Sequence, residues 1–429
     1  MTQATREDKP LKFNADLSGA QSSKWIDEHS FWSGADLLAA EALQRGELVV
    51  FPTETVYGLA AIANSDAAMR RIFEAKGRPS DNPLILHVAK AEAVFEYCEV
   101  EDDLAPILHA LTRRFWPGPL TLILPAKPGV SRVATAGLDT LALRCPDHEM
   151  ARRLIDLTGF ALAAPSANRS GKPSATCARD AFEDLETSIS YCIDGGACEA
   201  GLESTILDLS VQPARILRPG KITPEQLSAC LSEFGWPFAE VKKGETSAPA
   251  LAEGEQPKAP GMKYRHYAPE APVRILPDLL VEQMCFVLEN ELTRLKREQE
   301  TVHLLRESVN EPVNEPVGET LLGEHDVIRV GIYASDAFRR AWSTHLVRAS
   351  YEAKDMQLDW ITFADGREDQ AAQGLFHALR ELDRKKPKLI FVQDMKGDGI
   401  ALAYRNRLQK AAAGGSIPQA IRSEAEKLN

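Results

Sequence analysis

Two short stretches of this 429-residue chain hold side chains suited to anions. Lys76 and Arg78 flank Gly77, with Asn82-Pro83 and then His87 close behind. Two cations around a glycine, between a helix end and a strand, can neutralise a polyphosphate or a carboxylate. The plainer alternative is that Lys76 caps the helix C-terminus, favourable by about 0.3–1 kcal/mol. Upstream, Thr53 and Thr55 follow the apolar run LVVF, with Tyr57 and Gly58 in the turn after it. A strand end that feeds a polar turn is where open α/β sheets hold ligands.

A second stretch, Ala164 to Thr176, reads APSANRSGKPSAT and carries Ser166, Asn168 and Thr176. Small residues and hydroxyls after a buried strand let backbone amides approach a ligand, as in phosphate-binding loops. The stretch lacks the GxxxxGK[ST] pattern, and a Ser/Asn-rich turn is the alternative reading. Arg144 and Arg218 each stand where a strand ends, before Cys145-Pro146 and Pro219-Gly220, and either could equally be a surface arginine. His87, His109 and His148 have no metal-ligand spacing. Neither GxSxG nor HExxH occurs, and Cys145 has no base paired with it in the sequence.

The elements that must position these residues alternate. A helix is expected over 34–44 and another over 65–75, where Met69, Ile72 and Phe73 share one face. Strands are expected at 48–51, 84–88, 120–124, 141–144, 161–164, 191–193 and 204–209. The leader 1–30 is polar, and the α/β domain is expected over 31–240. Residues 241–271 change character, with several prolines and few large aliphatics, and read as a linker. Its cluster Lys263, Tyr264, Arg265, His266, Tyr267 makes it a segment that covers the site rather than a plain spacer. From 272 to 429, strands at 273–276, 327–333, 360–363 and 389–392 alternate with helices at 278–306, 335–353, 369–384 and 400–412. That is the pattern of a small Rossmann-like parallel α/β domain without GxGxxG, so no ligand is assigned to it. The direct repeat VNEPVNEP, 309–316, reads as an exposed, mobile insertion.

With 44% apolar and 26% charged residues the composition is that of a globular chain. The N-terminus lacks a signal-peptide core and no run of about 18 apolar residues occurs, which points to a cytoplasmic protein with no membrane span. Seven cysteines without metal-ligand pairing fit thiols in a reducing compartment. A net charge of −12 argues against strong direct binding of nucleic acid, though not against a local basic cleft.

In order along the chain, PTETVYGL (52–59), KGRPSDNPL (76–84), WPGPLTLIL (116–124), TLALRCPDH (140–148), APSANRSGKPSAT (164–176), ESTILD (203–208), ILRPG (216–220) and PGMKYRHYAP (260–269) resemble the YrdC-like family of threonylcarbamoyl-adenylate synthases in its long two-domain form. The resemblance implies a twisted-sheet domain with a deep cleft, joined to the smaller Rossmann-like domain. It implies that L-threonine, bicarbonate or CO2, and ATP with Mg2+ become threonylcarbamoyl-adenylate and pyrophosphate. A tRNA-modifying threonylcarbamoyl transferase would use the product downstream. By resemblance, Thr55, His87, Arg144, Ser166 and Ser204 contact threonine. Arg78, Asn82, Thr140, Asn168, Thr176, Arg218 and Tyr267 contact the nucleotide, and Lys76 and Arg78 carry the catalytic charge. The competing readings are an RNA-binding module, which the acidic balance weakens, and a carbamoyl-transfer enzyme, which the lack of CxxC weakens.

Overall fold

The computed structural model describes residues 24–239, 256–260, 262, 266–309, 327–349, 356–413, 415 and 417–428. Two sheets are built from these residues. The larger contains β1 (Trp25–Ile26), β2 (Val49–Phe51), β3 (Gly58–Ile62), β4 (Ile85–His87), β5 (Leu120–Pro125), β6 (Thr140–Arg144), β7 (Leu162–Ala163), β8 (Tyr191–Ile193), β9 (Thr205–Asp208) and β10 (Arg215–Arg218), in the order β1-β8-β2-β3-β7-β4-β6-β5-β9-β10. It is mixed: β4 and β6 run parallel, β5 and β6 antiparallel, β5 and β9 parallel. Helices and loops cover both faces, so its central strands are buried along their length rather than alternating.

The helix Asp66–Lys76 shows how sequence places the cations. Ser65 caps it by accepting from the Ala68 N–H, and Met69, Ile72 and Phe73 turn into the core. Gly77, at φ 60°, ends it in the left-handed region, where a residue without Cβ is at little cost. The Arg78 N–H then closes on the Phe73 carbonyl at 2.9 Å. Lys76 and Arg78 are thereby left on the two sides of one tight reversal.

The second sheet is parallel, in the order β11-β14-β12-β13, with β11 (Val273–Leu276), β12 (Ile328–Ser335), β13 (Met356–Phe363) and β14 (Leu389–Gln393). The period of two is visible in its packing. Val330, Ile332 and Ala334 of β12, with Leu389 and Phe391 of β14, face the helices Val281–Val309 and Asp336–Ala349. Tyr333, with Ile390 and Val392, faces the helices Glu368–Arg384 and Ile400–Ala412. That second cluster also takes in Val56, Leu202 and Tyr267, so one apolar core spans the first domain, the linker and the second domain. Gly201, at φ +66°, lies so close to the helix Glu368–Arg384 that an added Cβ would run into the Gln373 carbonyl.

Some expectations change. The polar leader is overrun at its end, because Trp25–Ile26 pair in parallel with Cys192–Ile193 and Glu28–Ser30 are helical. Gly58 is the first residue of β3 rather than part of a turn: GLAAI is a fully buried central strand whose small residues carry no alternation. Helices at Ala105–Phe115, Glu149–Thr158, Ala178–Leu185 and Pro224–Ser232 also stand where none was expected. All seven cysteines are free, six of them buried and Cys177 half-buried. Lys263, Tyr264, Arg265 and all but the first residue of the 309–316 repeat lie outside the described residues. Among the described residues no helix is long and apolar enough to cross a membrane.

Candidate active site

Four strand ends and two loops converge on one cleft. Its wall includes Lys76, Arg78, His87, Arg144, Ser166, Asn168, Ser204 and Arg218 from the first domain, and Pro260, His266 and Tyr267 from the linker. Nine of the thirteen residues given a role by the resemblance therefore share this wall, the eight first-domain residues just named and Tyr267, and so do Thr53, Tyr57, Gly58 and His266. Thr55, Asn82, Thr140 and Thr176 do not line it. Thr55 stands directly behind, its hydroxyl oxygen accepting from Arg144, and the Asn82 carbonyl accepts from Arg78. The Thr176 carbonyl accepts from the Cys198 N–H. Thr140 opens β6, four residues from Arg144 and so about 13 Å along the strand.

One corner is held by register. His87 ends β4 opposite Arg144 at the end of β6. Arg144 donates from Nη1 to Thr55 Oγ1 at 2.7 Å and from Nε to the Gly118 carbonyl at 3.3 Å, and its Nη2 pairs with Glu54 at 2.6 Å. Both partners of that ion pair are nearly excluded from water. The fork is thus fixed in plane, with N–H groups left over for a ligand. Burial first, then the charge of Arg144, pushes His87 down to about 3, so its imidazole is neutral at physiological pH. Its ring Nδ1 lies 3.2 Å from the Ile85 carbonyl.

On the facing side, Lys76 Nζ donates to the Ser166 carbonyl at 2.5 Å and to the Asn168 carbonyl. Burial, and next the charge of Arg78, holds its ammonium well below the usual lysine range. Lys76 therefore braces the 166–168 loop as well as charging the cleft. Asn168 spends its amide N–H groups on the Arg169 and Lys172 carbonyls, at 2.8 and 3.0 Å. Its Oδ1 is buried without a partner among the described residues, an acceptor open to a ligand donor. Arg218 donates from Nε to the Ser204 carbonyl and from Nη2 to Ser204 Oγ, both at 3.1 Å, and Ser204 Oγ meets Thr121 Oγ1 at 2.7 Å.

Sequence reasoning left Glu203 without a role. It is the carboxylate on the wall, and it takes Ser174 Oγ at 2.6 Å and Arg407 Nε at 3.0 Å. Burial alone would raise it, but Arg407 and Arg218 outweigh that and hold its carboxyl at about 2. Being depressed from 4.5, the carboxylate stabilises the fold fully above pH 4.5, and that contribution is lost as pH falls through 2. Thermal unfolding is expected to show an acid limb between pH 4.5 and 2 that Glu203→Gln flattens; an unchanged limb would contradict the clamp. The signal for Arg407 was available: it lies on the apolar stripe of Ile400–Ala412, three residues after Tyr404 and four after Ala403.

The linker closes this wall. The Ala268 N–H donates to the Gly171 carbonyl at 2.8 Å, and Gln256 and Lys258 bond to first-domain loops. Tyr267, held at φ 65°, packs on Phe376 with ring centroids 5.0 Å apart and under the Arg407 guanidinium at 5.9 Å. Burial and then Glu203 raise its phenol to about 12.

Comparison with known proteins bears on this arrangement. A family model described as Telomere recombination matches residues 41–220, and one described as Threonylcarbamoyl-AMP synthase, C-terminal domain, matches residues 222–413. The Threonylcarbamoyl-AMP synthase of Pyrococcus abyssi is 38% identical over 377 residues, covering 87% of this chain and 93% of the relative. The chain belongs to the threonylcarbamoyl-AMP synthase family. Its Bacillus subtilis member is 38% identical over 88% of this chain and 92% of its own length. A crystal structure of P. abyssi Sua5 complexed with L-threonine superimposes with a TM-score of 0.71 at 36% identity, covering 92% of this chain and 98% of that one. The likeness spans both domains, so the long two-domain architecture of the family is that of this chain. In a threonylcarbamoyl-AMP synthase, a wall of fixed cations with a neutral imidazole is chemically coherent.

Proposed function

We propose that this cleft makes L-threonylcarbamoyl-adenylate from L-threonine, bicarbonate or CO2, and ATP, releasing pyrophosphate, for threonylcarbamoyladenosine modification of tRNA. The observation that carries the reading is the convergence of Lys76, Arg78, Arg144 and Arg218 on one buried wall. The threonine amine attacks bicarbonate, with loss of water, or CO2, with loss of a proton, to give a carbamate. A carbamate oxygen then attacks the α-phosphate, and the bond to pyrophosphate breaks. Carboxylate, carbamate and triphosphate repel one another in water, and preorganised cations offset that repulsion without reorganising. Positioning accounts for the remainder.

The Thr55–His87–Arg144 corner suits threonine. The Arg144 fork matches a carboxylate, neutral His87 accepts or donates without adding charge, and Ser166 and Ser204 offer hydroxyls to the amino acid. Arg78, Asn168 and Arg218 suit the nucleotide, with Asn82 holding Arg78 by its carbonyl and Tyr267 closing over it; Thr140 and Thr176 are assigned to it by family pattern. Mg2+ enters as part of MgATP, held by phosphate oxygens and water, since Glu203 is already engaged by Arg407 and Ser174. A tRNA-modifying transferase consumes the adenylate, and the setting is the cytoplasm. Incubation with carbon-labelled bicarbonate, threonine and MgATP should give an adduct with the mass of threonylcarbamoyl-AMP. Label in free carbonate alone, with ATP intact, would overturn the reading.

A further inference from the structure

The helix Ile400–Ala412 of the second domain carries a fully buried arginine, Arg407, where its core face should be apolar. A buried guanidinium costs free energy unless its donors are bonded. Arg407 crosses to the first domain and spends all three nitrogens there. Nε donates to Glu203 Oε2 at 3.0 Å, Nη2 to the Glu203 carbonyl at 3.3 Å and Nη1 to the Pro219 carbonyl at 2.5 Å. Asn406 Oδ1, on the same helix, also accepts from Nη1, at 3.1 Å, and steadies the fork.

Those carbonyls stand where two strands of the cleft part. Glu203 precedes β9, and Pro219 directly follows β10. The ladder between them slips by one residue after Ile216 and ends with Arg218 opposite Ile206. Pro219 has no N–H with which to extend it. The two chains stay close all the same: a Cβ on Gly220 would lie 2.4 Å from the Thr205 amide nitrogen and 2.8 Å from the Glu203 carbonyl oxygen. Arg407 therefore donates to both chains at the point where their own ladder has stopped. Inside its span are Ser204 and Arg218 of the wall, which lean on each other, because Arg218 donates to the Ser204 carbonyl and to Ser204 Oγ, both at 3.1 Å. Glu203 supplies a second reason. Of the cations acting on its carboxyl, Arg407 is the stronger and Arg218 the next. Bonded to Arg407, Glu203 leaves Arg218 to a ligand. Without Arg407, a buried carboxylate would draw on Arg218 instead.

We propose that Arg407 is a positioning residue for the reaction, supplied by the second domain: it bridges the ends of β9 and β10, occupies Glu203, and so holds Ser204 and Arg218 in place for the substrates. The inference rests on the synthase reading. It makes the second domain a working part of the cleft. Arg384 provides the contrast, since it also crosses between the domains but pairs with Asp180 and Glu183 on the helix Ala178–Leu185, neither of which lines the cleft.

Pyrophosphate release by the full-length chain, with MgATP varied at saturating threonine and bicarbonate, tests this. Arg407→Met should raise KM for MgATP at least about tenfold, the loss of one charge-assisted hydrogen bond from Arg218. Arg407→Lys keeps a cation beside Glu203 but cannot reach both carbonyls, so KM should still rise at least about fivefold. A smaller folded fraction lowers kcat and leaves KM where it was, so KM separates misplaced wall residues from lost stability. Arg384→Met should accordingly lower the midpoint of thermal unfolding with KM within about twofold of wild type. A wild-type KM in Arg407→Lys, or an equal rise in Arg384→Met, would overturn the proposal. Wild-type chain that releases no pyrophosphate under these conditions would overturn the synthase reading and the proposal with it, and that failure is seen before any variant is compared.

Discussion

Arg144→Lys is expected to lower kcat/KM for threonine at least about tenfold, a transition-state cost of about 1.4 kcal/mol or more. The guanidinium is locked by three partners, Glu54, Thr55 and Gly118, on three different nitrogens. A lysine ammonium is a point charge on a flexible stem and cannot hold all three while presenting a planar fork. Whatever it fails to reach includes the buried Glu54 carboxylate, and an uncompensated charge there is destabilising by several kcal/mol. Steady-state kinetics with threonine varied should show KM rising together with a fall in kcat/KM. Thermal unfolding of the same variant separates lost ligand contact from lost stability. Wild-type kcat/KM in Arg144→Lys would refute its place in the threonine corner.

Deleting residues 262–268 is expected to cost at least about a hundredfold in activity, roughly 2.7 kcal/mol of transition-state stabilisation. The deletion removes His266 and Tyr267 from the wall and the backbone bond from Ala268 to Gly171. None of the ten strands of the first sheet falls within it, so circular dichroism and protease resistance of that domain should persist. Closure of the wall also keeps water from a labile mixed anhydride, which makes product hydrolysis a second readout. Because Tyr267 packs between Phe376 and Arg407, Tyr267→Phe should retain the packing and lose far less than the deletion. Full activity after deletion would contradict a wall closed by the linker.

Much of this was legible in the sequence because local rules and global packing agree. The Ser65 cap, the 69/72/73 face and the Gly77 stop define the helix that aims Lys76 and Arg78. In the second domain, the strands at 273–276 and 389–393 and the helix 400–412 sit where their patterns place them. Central strand β3 was illegible for a physical reason: GLAAI is buried on both faces, so nothing alternates. The role of Lys76 also needed three dimensions, since the carbonyls it braces lie some ninety residues away at Ser166 and Asn168. The contribution of the second domain lay hidden likewise. Arg380 bonds the Pro173 carbonyl and Asp184, and Arg384 pairs with Asp180 and Glu183, but a lone arginine on a helix carries no motif.

The measurement that goes most directly to the central claim is pyrophosphate release from MgATP by the purified full-length chain, with threonine and bicarbonate each supplied or withheld. Release that requires both is the predicted result, since the cleft must assemble the carbamate before the α-phosphate is attacked. Release with neither, or no release from folded protein when both are present, would contradict it.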